Sequence, residues 1–213
     1  MQAESSFADT FAAALRSGDC TVIGLHPEPT VVPVGEWTAP AGPLDLAILD
    51  LCDGPTLDIG CGPGRMATAL AERGQIVLGI DVVAEAVQQT NRRGASALLR
   101  DVFANVPAEG RWSTVLLADG NVGIGGDPVA LLVRVAQLLA PVGSVVVDLA
   151  EPGIPARVVW ASLASGSTRS RPFRWAVVGV DDIADLAARA GLTVRTVECL
   201  GSRWYAVLGK GRR

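Results

Sequence analysis

Between residues 56 and 149 the chain switches repeatedly between two hydrophobic periods. Short apolar runs with little polar alternation, "TLDI", "IVLGI", "SALL", "WSTVLLA" and "SVVVDL", predict strands buried on both faces. Between them lie stretches with apolar residues three and four apart, the spacing of one helical face. Met66, Ala69 and Leu70 line up on a helix that Gly74 ends, and residues 84 to 93 form the next. Asp127 and Pro128 cap and open a third, with Val129, Leu132, Val133 and Ala136 on its face. Strands alternating with helices predict a parallel α/β sheet covered on both sides.

The flanks keep a different rhythm. Ser6 and Asp9 make an S-x-x-D helix start, Phe7, Phe11, Ala14 and Leu15 share a face, and Gly18 is the stop. "TVVPVGEW" is expected to be extended, with Pro33 at an edge or in a loop. Pro43 opens a helix with Leu44, Ala47, Ile48 and Leu51 on one stripe. Residues 152 to 180, rich in Pro, Ser and Arg, read as an insertion around a short helix and an extended piece. Asp181 caps a helix carrying Ile183, Leu186, Ala187 and Ala190, closed by Gly191. "TVRTVECL" and "RWYAVLGK" flank a Gly-Ser turn, which demands antiparallel neighbours. The sheet is therefore expected to be parallel except for its last strand. No repeat, low-complexity tract or linker divides the 213 residues, so a single domain spanning 1–213 is expected.

Composition narrows the class. With 49% hydrophobic and 19% charged residues the chain reads as globular. No apolar run reaches the roughly 18 residues of a membrane span, and the N-terminus lacks the basic-then-apolar order of a secretory signal. A soluble, cytoplasmic protein without a membrane partner is expected. Acidic residues outnumber basic ones 22 to 18, the latter being seventeen arginines and Lys210, so no nucleic-acid footprint is expected. Cys20, Cys52, Cys61 and Cys199 form no C-x-x-C pair and, with one histidine in the chain, predict free thiols and no metal site.

One stretch demands a ligand. "LDIGCGPGRM" places Gly60, Gly62 and Gly64 within five positions directly after a strand. Glycine is costly to order, so three together imply close approach to the backbone. In an open α/β sheet this first strand-to-helix turn is where ligands sit. The spacing is G-x-G-x-G, with Arg65 where a dinucleotide fingerprint has its third glycine, and no phosphate-loop Lys-Ser follows. Asp58 precedes the loop, placed to accept from a ligand ammonium while loop amides meet a carboxylate. Asp81 ends the next strand, twenty-one residues beyond Gly60, where an acid suits ribose hydroxyls. Asp101 ends the strand after that, within reach of an adenine amino group. An amino acid, a ribose and an adenine in this order spell S-adenosylmethionine.

From about residue 44 to residue 209 the chain resembles class I S-adenosylmethionine-dependent methyltransferases. "LDIGCGPGRM" is similar to the family's first motif, "GID" to its ribose acid and "RDVF" to its adenine contact. The last stretch is also similar to a group of actinobacterial small methyltransferases. The resemblance implies a Rossmann-like sheet of seven strands, mostly parallel, in the order 3-2-1-4-5-7-6, with the last strand antiparallel and helices on both faces. It also implies that Asp58, Gly60, Cys61, Gly62 and Gly64 hold the methionine end, Asp81 and Val82 the ribose, and Asp101 and Val102 the adenine. Ala118 would offer its carbonyl to the cofactor's amino group. The chain departs from the family where Val142 replaces the first glycine of a usual "PGG" and where Val83 replaces a helix-capping residue.

The acceptor side is read less sharply. Residues 1–43 are expected to give an N-terminal helix and cover segment, and 152–180 a substrate-side insertion. Trp37, Trp160, Trp175 and Arg174 either wall an acceptor pocket or fill a core beneath a lid. Asp119, Asn121 and Glu151, at strand ends, are tentative acceptor contacts, the first two equally readable as caps of the turn "DGNVGIGGD". His26 is a proton acceptor by residue type or a solvated loop residue, and no catalytic base is assigned. A small organic acceptor is expected, for a monomer or homodimer. The alternatives are a macromolecular acceptor, for which Arg169, Arg171, Arg174 and Arg203 would form a basic face, and a non-catalytic S-adenosylmethionine-binding module.

Overall fold

The computed structural model describes residues 3–211. In chain order it comprises β1 (Ala3–Ser5), α1 (Phe7–Ser17), β2 (Thr21–Ile23), β3 (Thr30–Val31), α2 (Val34–Thr38), α3 (Pro43–Leu49), β4 (Thr56–Ile59) and α4 (Arg65–Glu72). There follow β5 (Val77–Asp81), α5 (Ala84–Arg92), β6 (Ala97–Leu99), β7 (Trp112–Leu117), a 3-10 segment (Asn121–Gly126), α6 (Pro128–Leu138) and β8 (Leu139–Leu149). The last part holds β9 (Arg157–Ser165), β10 (Thr168–Ser170), β11 (Phe173–Val177), a 3-10 turn (Val180–Asp182), α7 (Ile183–Arg189), β12 (Leu192–Leu200) and β13 (Arg203–Lys210).

Seven strands form the main sheet in the order β6-β5-β4-β7-β8-β13-β12, which is 3-2-1-4-5-7-6 when the strands of this sheet are numbered along the chain. The first five run parallel, and β13 is antiparallel to both of its neighbours. Side chains alternate between two cores, as a pleated strand requires. Leu57, Ile59, Val115, Leu117, Val145 and Val147 pack with Leu131, Leu132 and Val135 of α6. Leu116, Ala118, Val146 and Tyr205 pack on the other face with Ile48, Leu49, Met66 and Leu70 of α3 and α4. Both faces of each central strand are apolar, which is why the sequence shows runs there and not alternation.

Two helices sit in a different phase from the one their apolar pattern suggests. The expected stripe on α6 included Val133, which is 40% exposed, whereas Leu131, Leu132, Val135 and Leu138 are buried. This helix is apolar nearly all round, so hydrophobicity leaves its rotation open. Arg134 fixes it by donating to the carbonyls of Val102 (2.9 Å) and Ala104 (2.7 Å). On α3 the expected Leu44 is 39% exposed and Asp45 is buried in its place. Asp45 faces inward because two arginines meet it there.

Further corrections fall on the flanks. Residues 34 to 38 of the "TVVPVGEW" stretch are helical, not extended. The insertion at 152–180 has no α-helix; it supplies β9, β10 and β11. Asp181 does not cap α7, because its carboxylate accepts from the Gly153 amide (2.7 Å), and Asp182 accepts from Ala156 (2.6 Å). These acids tie down the loop that leaves β8. The N-terminal cover and the insertion are one structure. A second sheet runs β1-β10-β9-β2-β3, with β11 also pairing β9. Ala14, Leu15, Val22, Ala161 and Leu163 form its core, into which Val83 and Ala86 of α5 also pack. Val83 therefore stands where a capping residue is usual because it joins the cover to the main sheet's helix.

Because β2 and β9 pair through Thr21–Ala164, Val22–Leu163 and Ile23–Ser162, the two chain ends of the cover should open as one unit. Hydrogen-exchange mass spectrometry is expected to give residues 21–23 and 162–164 matched protection. Protection differing by more than about tenfold between them would mean that the two segments move separately.

Candidate functional site

A cavity of about 680 Å³ lies between the carboxyl ends of β4, β5 and β7 and the second sheet. Its floor carries Asp58, Gly60, Cys61, Gly62, Asp81, Val82, Asp101, Val102, Ala118, Asp119 and Asn121. Its roof carries Phe7, Phe11, Trp37, Phe173 and Trp175. Three of the sequence-designated residues lie off it. Gly64 stands in the N-cap position just before α4, Glu151 sits in the exposed loop after β8, and Trp160 is 66% exposed on β9.

The glycine loop is held from every side. Gly60 and Cys61 donate to the Ile80 carbonyl (2.8 and 3.1 Å), Gly62 to Asp81 Oδ2 (2.9 Å), and Gly64 to the Cys61 carbonyl (3.0 Å). The expectation of bare loop amides meeting a carboxylate is thus corrected, since each of these N–H groups already has a partner. Thr90 of α5 donates to the Gly62 carbonyl (2.9 Å), and Arg93 to that of Pro63 (2.9 Å) and, on the cover, Thr38 (2.7 Å). Asn121 donates to the carbonyls of Ile59 (2.9 Å) and Gly60 (3.0 Å), so it braces the loop and its amide is not free for an acceptor. Cys61 lines the floor while packing with Val87 and Ala97, and burial pushes its thiol well above the ordinary range.

Two carboxylates mark the cofactor side. Asp58 is 1% exposed, and its Oδ2 meets no donor among the described residues. Burial, then the charges of Asp119 and Asp81, push its pKa up to about 7, against the opposing pull of Arg65 and the Ala67 amide. An orphaned buried acid facing a cavity fits a ligand cation. Asp81 accepts from Gly62 and, through Oδ1, from the Val83 amide (2.8 Å). Burial raises its pKa despite these bonds. Beyond it Val82 is 49% exposed on the floor, and Asp101 accepts from the Phe103 amide (2.9 Å), turning the chain after β6. Arg134, unnoticed in the sequence, holds this turn through Val102 and Ala104 and is itself paired with Glu109.

At the far end of the floor the sequence hid a charged cluster. Arg65 pairs with Asp45 and, at 2.7 Å, with Asp119. Arg203 pairs with Asp45 (2.6 Å), Asp119 (3.1 Å) and Asp148, whose carboxylate accepts the Asp119 amide (3.1 Å). Burial opposes ionisation of Asp45, but the hydrogen bonds from Arg65 and the Gly42 amide, with the charges of both arginines, leave its pKa lowered. Asp119 adopts φ +51°, rare for a non-glycine residue. These residues are 20 to 158 positions apart in pairs such as Asp45–Arg65 and Asp45–Arg203, so no local pattern announces them. Arg203 is consequently no part of a basic face with Arg169, Arg171 and Arg174. Arg169 donates to Ser162 (3.1 Å) and Arg174 to the Gly126 carbonyl (3.3 Å).

The roof is aromatic. Phe7 lies 5.7 Å from Phe11 and 4.9 Å from Phe173, Phe11 lies 5.9 Å from Trp37, and Phe173 lies 6.3 Å from Trp175. Phe7 and Phe11 read as the packing face of α1 in the sequence, and only the pairing of the two cover segments turns them toward the floor. His26 lines the cavity from the loop after β2. No group of His, Cys, Asp and Glu among the described residues has the arrangement of a metal site, and no described helix is long and apolar enough to cross a membrane.

This geometry agrees with known proteins. Residues 56–143 match the family model described as "Methyltransferase domain". The structure is similar to that of an S-adenosylmethionine-dependent methyltransferase from Bacteroides fragilis in complex with S-adenosyl-L-homocysteine, at 20% identity and a TM-score of 0.79 over 96% of this chain and 94% of that one. It is also similar to the CcbJ methyltransferase from Streptomyces caelestis, at 17% identity and 0.65 over 98% and 100%. A third similar structure is the Burkholderia thailandensis 1,6-didemethyltoxoflavin-N1-methyltransferase with bound 1,6-didemethyltoxoflavin and S-adenosylhomocysteine, at 19% identity and 0.60 over 83% and 81%. No curated protein matches the sequence. Residues 56–143 thus match a methyltransferase domain, within a fold similar to that of these S-adenosylmethionine-dependent methyltransferases.

The loop glycines divide into two kinds. At Gly64, φ +88°, an added Cβ would lie 2.6–2.8 Å from three atoms of Thr90. At Gly62, φ +54°, it would meet nothing within 4 Å. Gly64→Ala should therefore lower the melting temperature more than Gly62→Ala, whose cost is the backbone strain of about 1 kcal/mol. Thermal unfolding of both variants checks this order, and equal losses would contradict it.

Proposed function

We propose that the protein transfers a methyl group from S-adenosylmethionine to a small organic acceptor with a flat apolar body. The observation that carries this reading is the cavity between an acid-bearing floor and an aromatic roof. The methyltransferase domain match supports the transfer, and the bound ligands of similar structures support the cofactor. Asp58 would hold the ammonium, Asp81 the ribose hydroxyls, and the turn at Asp101 and Val102 the adenine. The Ala118 carbonyl, which already accepts from the Asn121 amide at 2.9 Å, keeps a second lone pair for the ammonium.

When bound, the cofactor supplies an activated sulfonium methyl group. The chain's own task is then to orient the acceptor and exclude water, the main sources of acceleration for an in-line displacement. The rings of Phe7, Phe11, Trp37, Phe173 and Trp175 suit both tasks, since stacked and edge-on contacts fix a flat molecule while desolvating it. The 5.9 Å Phe11–Trp37 contact makes the roof continuous across α1 and α2. No residue is assigned as base, because one is required only where the acceptor carries a proton on its reactive atom. Acceptors of the similar proteins support a compact molecule, the Burkholderia thailandensis enzyme having 1,6-didemethyltoxoflavin bound.

Calorimetric titration with S-adenosylhomocysteine tests the cofactor. The wild type is expected to bind it, and Asp81→Ala to weaken binding by about 1–3 kcal/mol by leaving hydroxyls and loop amides unpaired. Absence of wild-type binding overturns the reading.

Asp58 gives a pH dependence. Its folded pKa of about 7 lies above the ordinary 3.8, so the folded chain holds this proton more tightly than the unfolded chain. The stability it contributes is present at acidic pH and is lost as pH rises toward 7. A ligand ammonium favours the ionised form, so affinity should rise from pH 6 to pH 7 by about fivefold, with proton release into the buffer. Titrations in buffers of different ionisation enthalpy measure that proton, and a pH-independent affinity would remove Asp58 from the ammonium site.

A further inference from the structure

The cavity leaves one face of the second sheet without a role. Residues paired across strands share a face, and so do residues two apart along a strand. Trp160, Ser162 and Ala164 of β9 therefore share a face with their partners Arg174 on β11, Ile23 on β2 and Arg169 on β10. Glu4 of β1, opposite Arg169, extends the last row. Ala161 and Leu163 point the other way, into the core of the cover. On the outer face Trp160 is 66% and Val158 49% exposed.

This face is basic on an acidic chain. Arg169 lies across it and donates to Ser162 (3.1 Å), and the exposed Arg171 follows β10, its amide bound to the Ser5 carbonyl (2.9 Å). Arg65, Arg134 and Arg203 are each matched by acids. Among the described residues none of Arg169, Arg171 and Arg174 has a carboxylate partner. Uncompensated arginines beside an exposed tryptophan are the residue types that carry binding energy at protein interfaces. The backbone beneath them is fixed. At Gly24, φ +89°, a Cβ would meet the Trp160 carbonyl, and Arg157 donates to the Leu25 carbonyl (3.4 Å).

We propose that this outer face docks an acidic segment of another protein, with its carboxylates on Arg169, Arg171 and Arg174 and an apolar side chain on Trp160 and Val158. A carboxylate suits the arginines because a guanidinium binds its two oxygens in one plane. A second copy of this chain does not fit, since a two-fold contact would set the face on itself and arginines against arginines. Nucleic acid is disfavoured by Glu4 in the same row and by the chain's excess of acids, 22 to 18, which repels a long phosphate backbone. From Val158 to Ala164 the face runs about 20 Å, the length of one short segment, so the contact is small and its affinity modest. Trp160, Val158, Arg169 and Arg171 do not line the cavity, so the proposal is independent of the cofactor reading.

Fluorescence anisotropy tests it with three labelled probes. These are a short peptide of Asp and Glu around a central Leu-Phe, its counterpart with Lys for every acid, and a single-stranded oligothymidylate. Wild-type protein is expected to bind the acidic peptide at least about tenfold more tightly than either other probe, and less tightly as salt rises. Trp160→Ala and Arg171→Glu, both at exposed positions, are each expected to weaken that binding at least about fivefold without lowering the melting temperature. Equal affinity for the two peptides, no binding of the acidic one, or tighter binding of the oligothymidylate overturns the proposal. An affinity that neither variant changes overturns it too, as does a dimer in sedimentation that Trp160→Ala abolishes.

Discussion

The Asp81 carboxylate closes the turn on which the site is built. One oxygen accepts from Gly62 at the middle of the glycine loop, and the other from Val83 at the start of α5. A single buried side chain at the end of β5 thus fixes two strand-to-helix turns against each other. Thr90 and Arg93 then clamp the loop carbonyls from α5 and its C-terminus, and Asn121 from the turn after β7. A turn so completely paired cannot adapt to a ligand by offering amides. Its contribution is shape, and the charges that select a ligand must come from side chains around it.

Those charges are unusually concentrated. Asp58, Asp81 and Asp119 are close enough that the latter two raise the pKa of the first. Acids gathered in a desolvated place destabilise the fold unless cations accompany them, and Arg65 and Arg203 meet only part of that demand. The unmet part is the orphaned Oδ2 of Asp58. That oxygen carries a residual electrostatic cost, one that a positively charged group beside it would offset.

The main sheet was legible in the sequence because its central strands are buried on both faces and local signals mark its elements, such as the Asp127 helix cap and the Gly201-Ser202 turn between its last two strands. Its order follows from those elements together with the family resemblance. The phases of α3 and α6 were not legible, since each is set by a polar residue, Asp45 or Arg134, whose partners lie far along the chain. Asp58 and Asp81 stood out because strand ends beside a glycine loop are few. Arg65 did not, because an arginine opening a helix is ordinary until Asp45 and Asp119 are seen around it. The aromatic roof escaped for a related reason. Phe7 and Phe173 belong to segments 166 residues apart, and their 4.9 Å contact exists only because β1, β2, β9 and β10 join in one sheet.

That joining also separates two kinds of change. The floor is built from the strand ends of a sheet whose both faces are packed, so substitutions there disturb the cofactor geometry through the whole β4–β5–β7 frame. The roof hangs on a smaller sheet, attached to the frame by Val83 and Ala86 of α5, by Arg93 and by the packing of β11 on the turn after β7. At Gly126 a Cβ would lie 2.7 Å from that of Arg174, and at Gly123 it would meet the Ala176 carbonyl and the Trp175 indole, so this seam is set by the close approach of backbone and side chain together. Trp175 therefore belongs to both roof and seam, and Phe7, Phe11, Trp37 and Phe173 pack on the core that Val83 and Ala86 share. Floor and roof are therefore both tied to the fold, the floor's charges through the β4–β5–β7 frame and the roof's rings through the seam and the core of the smaller sheet, so a change of ring on the roof is also a change in how the two sheets are joined.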